Sequence, residues 1–276
     1  MSIRSFAKQC RQLICVLTLT ASSTASAVSF TDMVIFGDSL SDTRIPTPFT
    51  SNGPLWPEYL APQLGLTYNQ AMNFAVAGST TFDVFTQVSF FDTTVSAVDP
   101  NALYVVWAGG NDILDSTDPI AAASTAASNV IANVNTLSSI GANFFLVPNL
   151  PDLGLIPADG TGLLTQPSVD FNSAIASAFA GIPTTVVADI FSLHREAIAE
   201  PSAFGLANAI DACFFDLPAD CDTYLFWDDI HPTTVGHSLI ADEFALTIAT
   251  IPVPAAVWLF GSGLIGLIGV ARSSKA

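Results

Sequence analysis

The residue types able to do chemistry in this chain sit in two distant stretches. Residues 33–43 read MVIFGDSLSDT, an apolar run that stops at Gly37-Asp38-Ser39. Residues 226–237 read FWDDIHPTTVGH, with Asp228 three residues before His231 and Pro232 fixing the turn. A serine hydroxyl is a poor nucleophile until a base takes its proton, and histidine suits that task near neutral pH. A carboxylate on the far ring nitrogen then fixes the tautomer. The three-residue offset lets a turn fold Asp228 back onto the His231 ring, and Asp229 is the competing carboxylate. The other two histidines read as bystanders: His194, beside Arg195, as a surface residue, and His237, on the next helix, as structural. The rival reading of the first stretch is that Ser39 or Ser41 only caps a following helix.

Such a reaction also needs donors for the developing oxyanion. Two candidates stand at turn positions of their own: the backbone N–H of Gly78 in Ala75–Thr80, and Asn111 in Gly109-Gly110-Asn111-Asp112. Gly-x-Ser-x-Gly is absent, so the nucleophile elbow is not the arrangement here.

The elements that must position these residues alternate. Met33–Phe36 reads as a buried strand that delivers Ser39 into a loop, since ligands of open parallel sheets bind beyond the carboxyl ends of the strands. Pro54–Leu64 reads as a helix stopped by Gly65, Leu66–Phe74 as a weak strand, and Phe82–Val98 as a helix of period 3.6. Ala102–Trp107, ALYVVW, is the clearest central strand. A helix over Pro119–Ile140, a strand over Asn143–Val147, a helix over Pro167–Ala180, a strand over Thr184–Ala188 and a helix over Ile190–Ala199 follow. Phe204–Tyr224 reads as irregular, and Thr233–Ile248 as the last helix. This alternation predicts an α/β fold, a three-layer α/β/α sandwich on a parallel sheet.

The ends differ in composition. Met1–Ala27 has a basic start, an apolar middle over Leu13–Leu19 and the small-residue close Ala25-Ser26-Ala27, which predicts a secretory signal peptide and export. The domain is expected over 28–250. Beyond it, Ala255–Val270 is uncharged and followed by Arg272 and Lys275, a hydrophobic segment suited to a membrane. Export leaves Cys213 and Cys221 in an oxidising compartment, where a disulfide between them is expected. Neither a metal nor a cofactor motif accompanies them. All 24 Asp and Glu lie between Asp32 and Glu243, where Arg44 and Arg195 are the only Lys or Arg: two cations against 24 acids, a balance of −22. That charge repels nucleic acid and excludes it as a partner.

FGDSLSDT (36–43), NFAVAGSTT (73–81), WAGGND (107–112) and FWDDIHPT (226–233) resemble, in order, the four sequence blocks of the GDSL, or SGNH, hydrolases. The similarity covers about residues 32–250, departing at Arg44-Ile45, where family members often have Gly-Asn. It implies a five-stranded, flavodoxin-like sheet. It makes Ser39 nucleophile and oxyanion donor, Gly78 a backbone donor, Asn111 a side-chain donor, His231 the base and Asp228 its partner. The tail, VPAAVWLFGSGLIGLIG to the basic end, resembles PEP-CTERM sorting segments of the VPLPA type. That implies an exosortase-type processing partner and the surface of a Gram-negative cell. The expected function is an exported esterase or lipase acting on small-molecule or lipid esters through an acyl-enzyme. Its alternatives are a phospholipase or acyltransferase on the same site, or a non-catalytic surface or matrix protein.

Overall fold

The computed structural model describes residues 28–215 and 220–252. The expected signal peptide over Met1–Ala27 lies outside the described residues, and so does the expected 251–276 sorting segment apart from its first two residues. Ile251, just past the expected 28–250 domain, is buried at 3 % exposure in the core.

The central sheet is parallel, in the order β1 (Met33–Gly37), β2 (Leu103–Trp107), β3 (Phe144–Leu146) and β4 (Thr185–Val186). β1 and β2 run in register from Met33 opposite Leu103 to Gly37 opposite Trp107. Every residue of both strands is buried, as expected of strands covered on both faces. Their alternation divides the core. Val34, Phe36, Tyr104 and Val106 face α2 (Asp83–Thr94), α4 (Pro119–Ser139) and α5 (Thr165–Phe179). Met33, Ile35, Leu103, Val105 and Trp107 face α1 (Trp56–Gln63) and α7 (Thr234–Ile248). A short α3 (Gly110–Leu114) follows β2, and α6 (Ile190–Ala199) follows β4.

Two elements differ from the sequence reading. The fifth sheet position, expected over Leu66–Phe74, is held by a single parallel bridge between Asn73 and Ile35, with the Phe74 and Val76 N–H groups donating to Ile35 and Gly37. Asn69 accepts from the Ala71 N–H and turns Gln70–Met72 into a 3-10 turn, so no strand extends there. Phe204–Tyr224 is not wholly irregular: β5 (Asn208–Ala212) pairs in parallel with β6 (Tyr224–Phe226). Asn208 and Asp211 hide that strand in the sequence, since they lack the apolar alternation of a half-buried one. The Cys213 and Cys221 sulfurs are bonded across this region, with Cα atoms 5.6 Å apart.

Candidate active site

β1 ends against β2 so closely that a Cβ on Gly37 would lie 2.2 Å from the Trp107 carbonyl oxygen, and only glycine fits. The chain then turns, the Ser41 and Asp42 N–H groups donating to the Asp38 carbonyl, and Ser39 is presented beyond the strand end. Asp38 accepts from the Leu40 N–H through its carboxylate. Burial pushes the Asp38 carboxyl up to about 6, against the opposing pull of that N–H and of His231.

His231 arrives from the loop between β6 and α7. Asp228 Oδ1 accepts from the backbone N–H groups of Ile230 and His231, 2.8 and 2.7 Å away, which closes the turn. The same carboxylate lies 2.8 and 3.0 Å from His231 Nδ1, while His231 Nε2 lies 2.8 Å from Ser39 Oγ. Burial alone would raise the Asp228 carboxyl, but the His231 ring and the two backbone donors hold it below the ordinary value. Asp229 is exposed and makes no side-chain contact of this kind; its carbonyl accepts from the Ala158 N–H. Trp227 Nε1 donates to the Pro48 carbonyl, tying this loop to the one that follows Ser39.

Asn111 and Gly78 meet through Ser79. Asn111 Nδ2 donates to the Ser79 carbonyl at 2.9 Å, and Asn111 lines the same cavity as Ser39. Gly78 has φ +77, the left-handed conformation that suits glycine in the turn closed by Ser79 N–H on Val76. The loop is fastened on both sides. Asp42 accepts from Ala77 N–H and pairs with Arg44, whose guanidinium also donates to the Ala75 carbonyl, and this gives the unusual Arg44 a place. Asp112 accepts from Thr81 through both oxygens, and Asn133 donates to the Thr81 carbonyl.

The sequence reading passed over two side chains. Gln87 accepts from the Gly37 N–H at 2.9 Å and donates to the Gly37 carbonyl at 2.8 Å and to Ser79 Oγ at 3.1 Å. Its signal was present: Gln87 falls on the buried stripe Val84, Val88, Phe91 of α2, where a polar residue needs partners. His194, read as surface, is buried at 7 % exposure, and burial holds its imidazole down to about 4. The charged neighbour Arg195 suggested an exposed face, but α6 turns His194 inward beside Phe226. His237 is fully buried too, held down to about 3 by burial and the nearby His231.

A cavity of about 80 Å³ opens at Ser39 and Asn111 and is walled by Leu150, Leu193, Leu225 and Leu239 among others. A parallel α/β sandwich that holds serine, histidine and carboxylate in hydrogen-bonded series beyond its strand ends has the layers and the reactive groups of a serine hydrolase. The chain belongs to the GDSL-like Lipase/Acylhydrolase family, whose model matches residues 33–244. It is 30 % identical to an uncharacterized protein in the trpE-trpG intergenic region of Pseudomonas putida, over 86 % of this chain and 51 % of that protein. It is 29 % identical to Esterase EstA of Pseudomonas aeruginosa, over 83 % of this chain and 48 % of the esterase. The chain thus spans about half the length of these relatives. The crystal structure of the lipase Lip_vut3 from a goat rumen metagenome shares the fold, with TM-score 0.56 and 16 % identity over 80 % of this chain and 98 % of that one.

Proposed function

We propose that the protein is a serine ester hydrolase working through an acyl-enzyme at Ser39. The observation that carries this reading is His231 held between two partners, Nδ1 on Asp228 and Nε2 on Ser39 Oγ, each at 2.8 Å. Asp228 keeps the proton on Nδ1, which leaves Nε2 free to accept the Ser39 proton as Oγ attacks the ester carbonyl carbon. The carbonyl oxygen becomes an oxyanion. Asn111 Nδ2 carries two hydrogens; one is committed to Ser79, and the second is the side-chain donor. The N–H groups of Gly78 and Ser39 are the backbone donors. As the intermediate collapses, the carbonyl re-forms, the bond to the alcohol oxygen breaks, and His231 gives the alcohol its proton. Water then attacks the Ser39 ester with His231 again as base, releasing the acid and restoring Ser39.

The composition of residues 1–27 and the tail supports an exported protein processed and held at the cell surface. The test of the chemistry is covalent. A fluorophosphonate should label the wild-type protein at Ser39, located by peptide mass spectrometry, and block hydrolysis of p-nitrophenyl acetate. Labelling at another serine, or full turnover in Ser39→Ala, overturns the assignment.

A further inference from the structure

Apolar side chains stand exposed around the loop that carries Asp228 and His231, and Trp227, which opens that loop, ties them together. Its indole Nε1 donates to the Pro48 carbonyl, which brings Phe49 to one side. Its carbonyl accepts from the Phe214 N–H, and its ring meets the Phe214 ring edge-on, 5.3 Å between centroids. Phe215 packs against Phe214 in turn. Phe215 also lines a groove with Leu155, Ile210 and Asp229, and Ile156 lines both this groove and the cavity at Ser39. Ile230, next along the loop, lines that cavity too. Phe49, Ile210 and Phe215 are 72, 68 and 68 % exposed, and Leu155, Phe214 and Ile230 are each more than a third exposed. Single exposed apolar residues need no cause, but six around one loop mark a contact surface.

Charge decides what this surface contacts. Both arginines of residues 28–252 are committed, Arg44 to Asp42 and Arg195 to Asp152, against 24 acids. An anionic headgroup layer, or a second copy of the chain, is therefore repelled. No lysine or arginine lines the cavity at Ser39, so a phosphate would meet no cation there, whereas an uncharged ester requires none. We propose that this apolar rim docks the protein on droplets of uncharged ester lipid, with the mouth at Ser39 facing the aggregated substrate. The gain in turnover rests on Ser39 as nucleophile; the docking itself does not.

The full chain is given tributyrin in a pH-stat below and above its solubility limit, with dissolved p-nitrophenyl acetate in parallel. The wild-type rate should climb steeply where droplets form. Phe49→Ser/Phe215→Ser should lower the droplet rate about tenfold or more, the worth of one aromatic side chain withdrawn from water, while p-nitrophenyl acetate turnover changes less than about twofold. Both proteins keep residues 253–276, so any attachment there is common to the comparison. Ile182→Ser, at an exposed apolar position ahead of β4, should leave both rates unchanged. Coating the droplets with phosphatidylglycerol should slow the wild type, and NaCl should restore it. No rise at the solubility limit, or a double variant as fast on droplets as the wild type, overturns the proposal. So does an equal loss on both esters, or a wild-type dimer that the substitutions dissociate, read by light scattering. If the double variant does not fold, Phe49→Ser and Phe215→Ser singly still decide. Ser39→Ala that hydrolyses both esters refutes the nucleophile instead, and flotation of wild type and double variant with the droplets then decides the docking.

Discussion

Replacing Gln87 with leucine should weaken the fold and the catalysis together. The Gln87 amide makes three bonds, one from the Gly37 N–H and two donated to the Gly37 carbonyl and Ser79 Oγ. The Gly37 carbonyl retains the Val76 N–H at 3.1 Å, so its loss is partial. The buried Gly37 N–H loses its Gln87 acceptor, which costs about 1–3 kcal/mol, and the two donated bonds add about 0.5–1.5 kcal/mol each. The expected destabilisation is about 2–6 kcal/mol, read from urea unfolding. Gly37 lies two residues before Ser39 and Ser79 directly follows Gly78, so one side chain fixes the nucleophile turn against the donor loop. A shift of about 1 Å between them is worth on the order of 10²-fold in rate, expected in kcat with KM little changed. Gln87→Glu separates packing from hydrogen bonding. Its carboxylate faces the Gly37 carbonyl unless protonated, so its pKa is raised in the fold. The variant should be most stable in acid and lose stability as pH rises through that raised value. Wild-type unfolding and unchanged kcat in Gln87→Leu would refute the role.

Other outcomes follow from the same geometry. Asn111→Ala should lower kcat by roughly 10²–10³-fold with KM nearly unchanged in steady-state kinetics. Asp228→Asn should also cut kcat sharply, while Asp229→Asn, exposed and unconnected to the ring, should have little effect; a reversed order would reassign the carboxylate. His194 and His237 have lowered pKa values, about 4 and about 3, so the unfolded chain binds more protons and stability is lost as pH falls below the ordinary histidine value. Asp38, raised to about 6, acts oppositely: its contribution is present below the ordinary aspartate value and is lost as pH rises through 6. Near pH 5, unfolding should therefore take up about one proton in the wild type and about two in Asp38→Asn, measurable as the slope of unfolding free energy against pH. The melting temperature should rise with added NaCl, because 24 acids against two arginines over residues 32–243 repel one another and 1 M salt shortens the screening length to about 3 Å; a falling value would refute it.

The central layer was legible because its strands carry their own signal. Met33–Phe36 and Leu103–Trp107 are continuous apolar runs that end at glycine, and both are buried on two faces. Asp228 and His231 were legible as neighbours because a three-residue offset is a local matter, settled within one turn. Partners fixed by tertiary contact were not. β5 is defined by its pairing with β6 across the cysteine loop, and nothing in Asn208–Ala212 announces it. The strand expected over Leu66–Phe74 shrinks to one bridge because Asn69 and Asn73 spend their side chains on turns and on the loop beyond Ser39. His194 was misplaced because its neighbour in sequence, Arg195, is charged, whereas its neighbours in space are Phe226 and the cavity.

Near the two ends of the described chain, Phe30 and Ile251 are both buried in the core layer that packs against α1 and α7. Phe30 packs edge-on to Phe144 at the start of β3, and Ile251 lies in the same core layer as Phe30. α7 begins three residues after His231 and runs 15 residues, about 22 Å, before it reaches that place. Phe30 precedes the amino end of β1 and Ser39 follows its carboxyl end, so the strand stands between this place and the reacting serine. A bulky group fused to the 28–252 domain beside Phe30 should therefore leave the mouth at Ser39 unobstructed, as a key keeps its teeth clear of its handle.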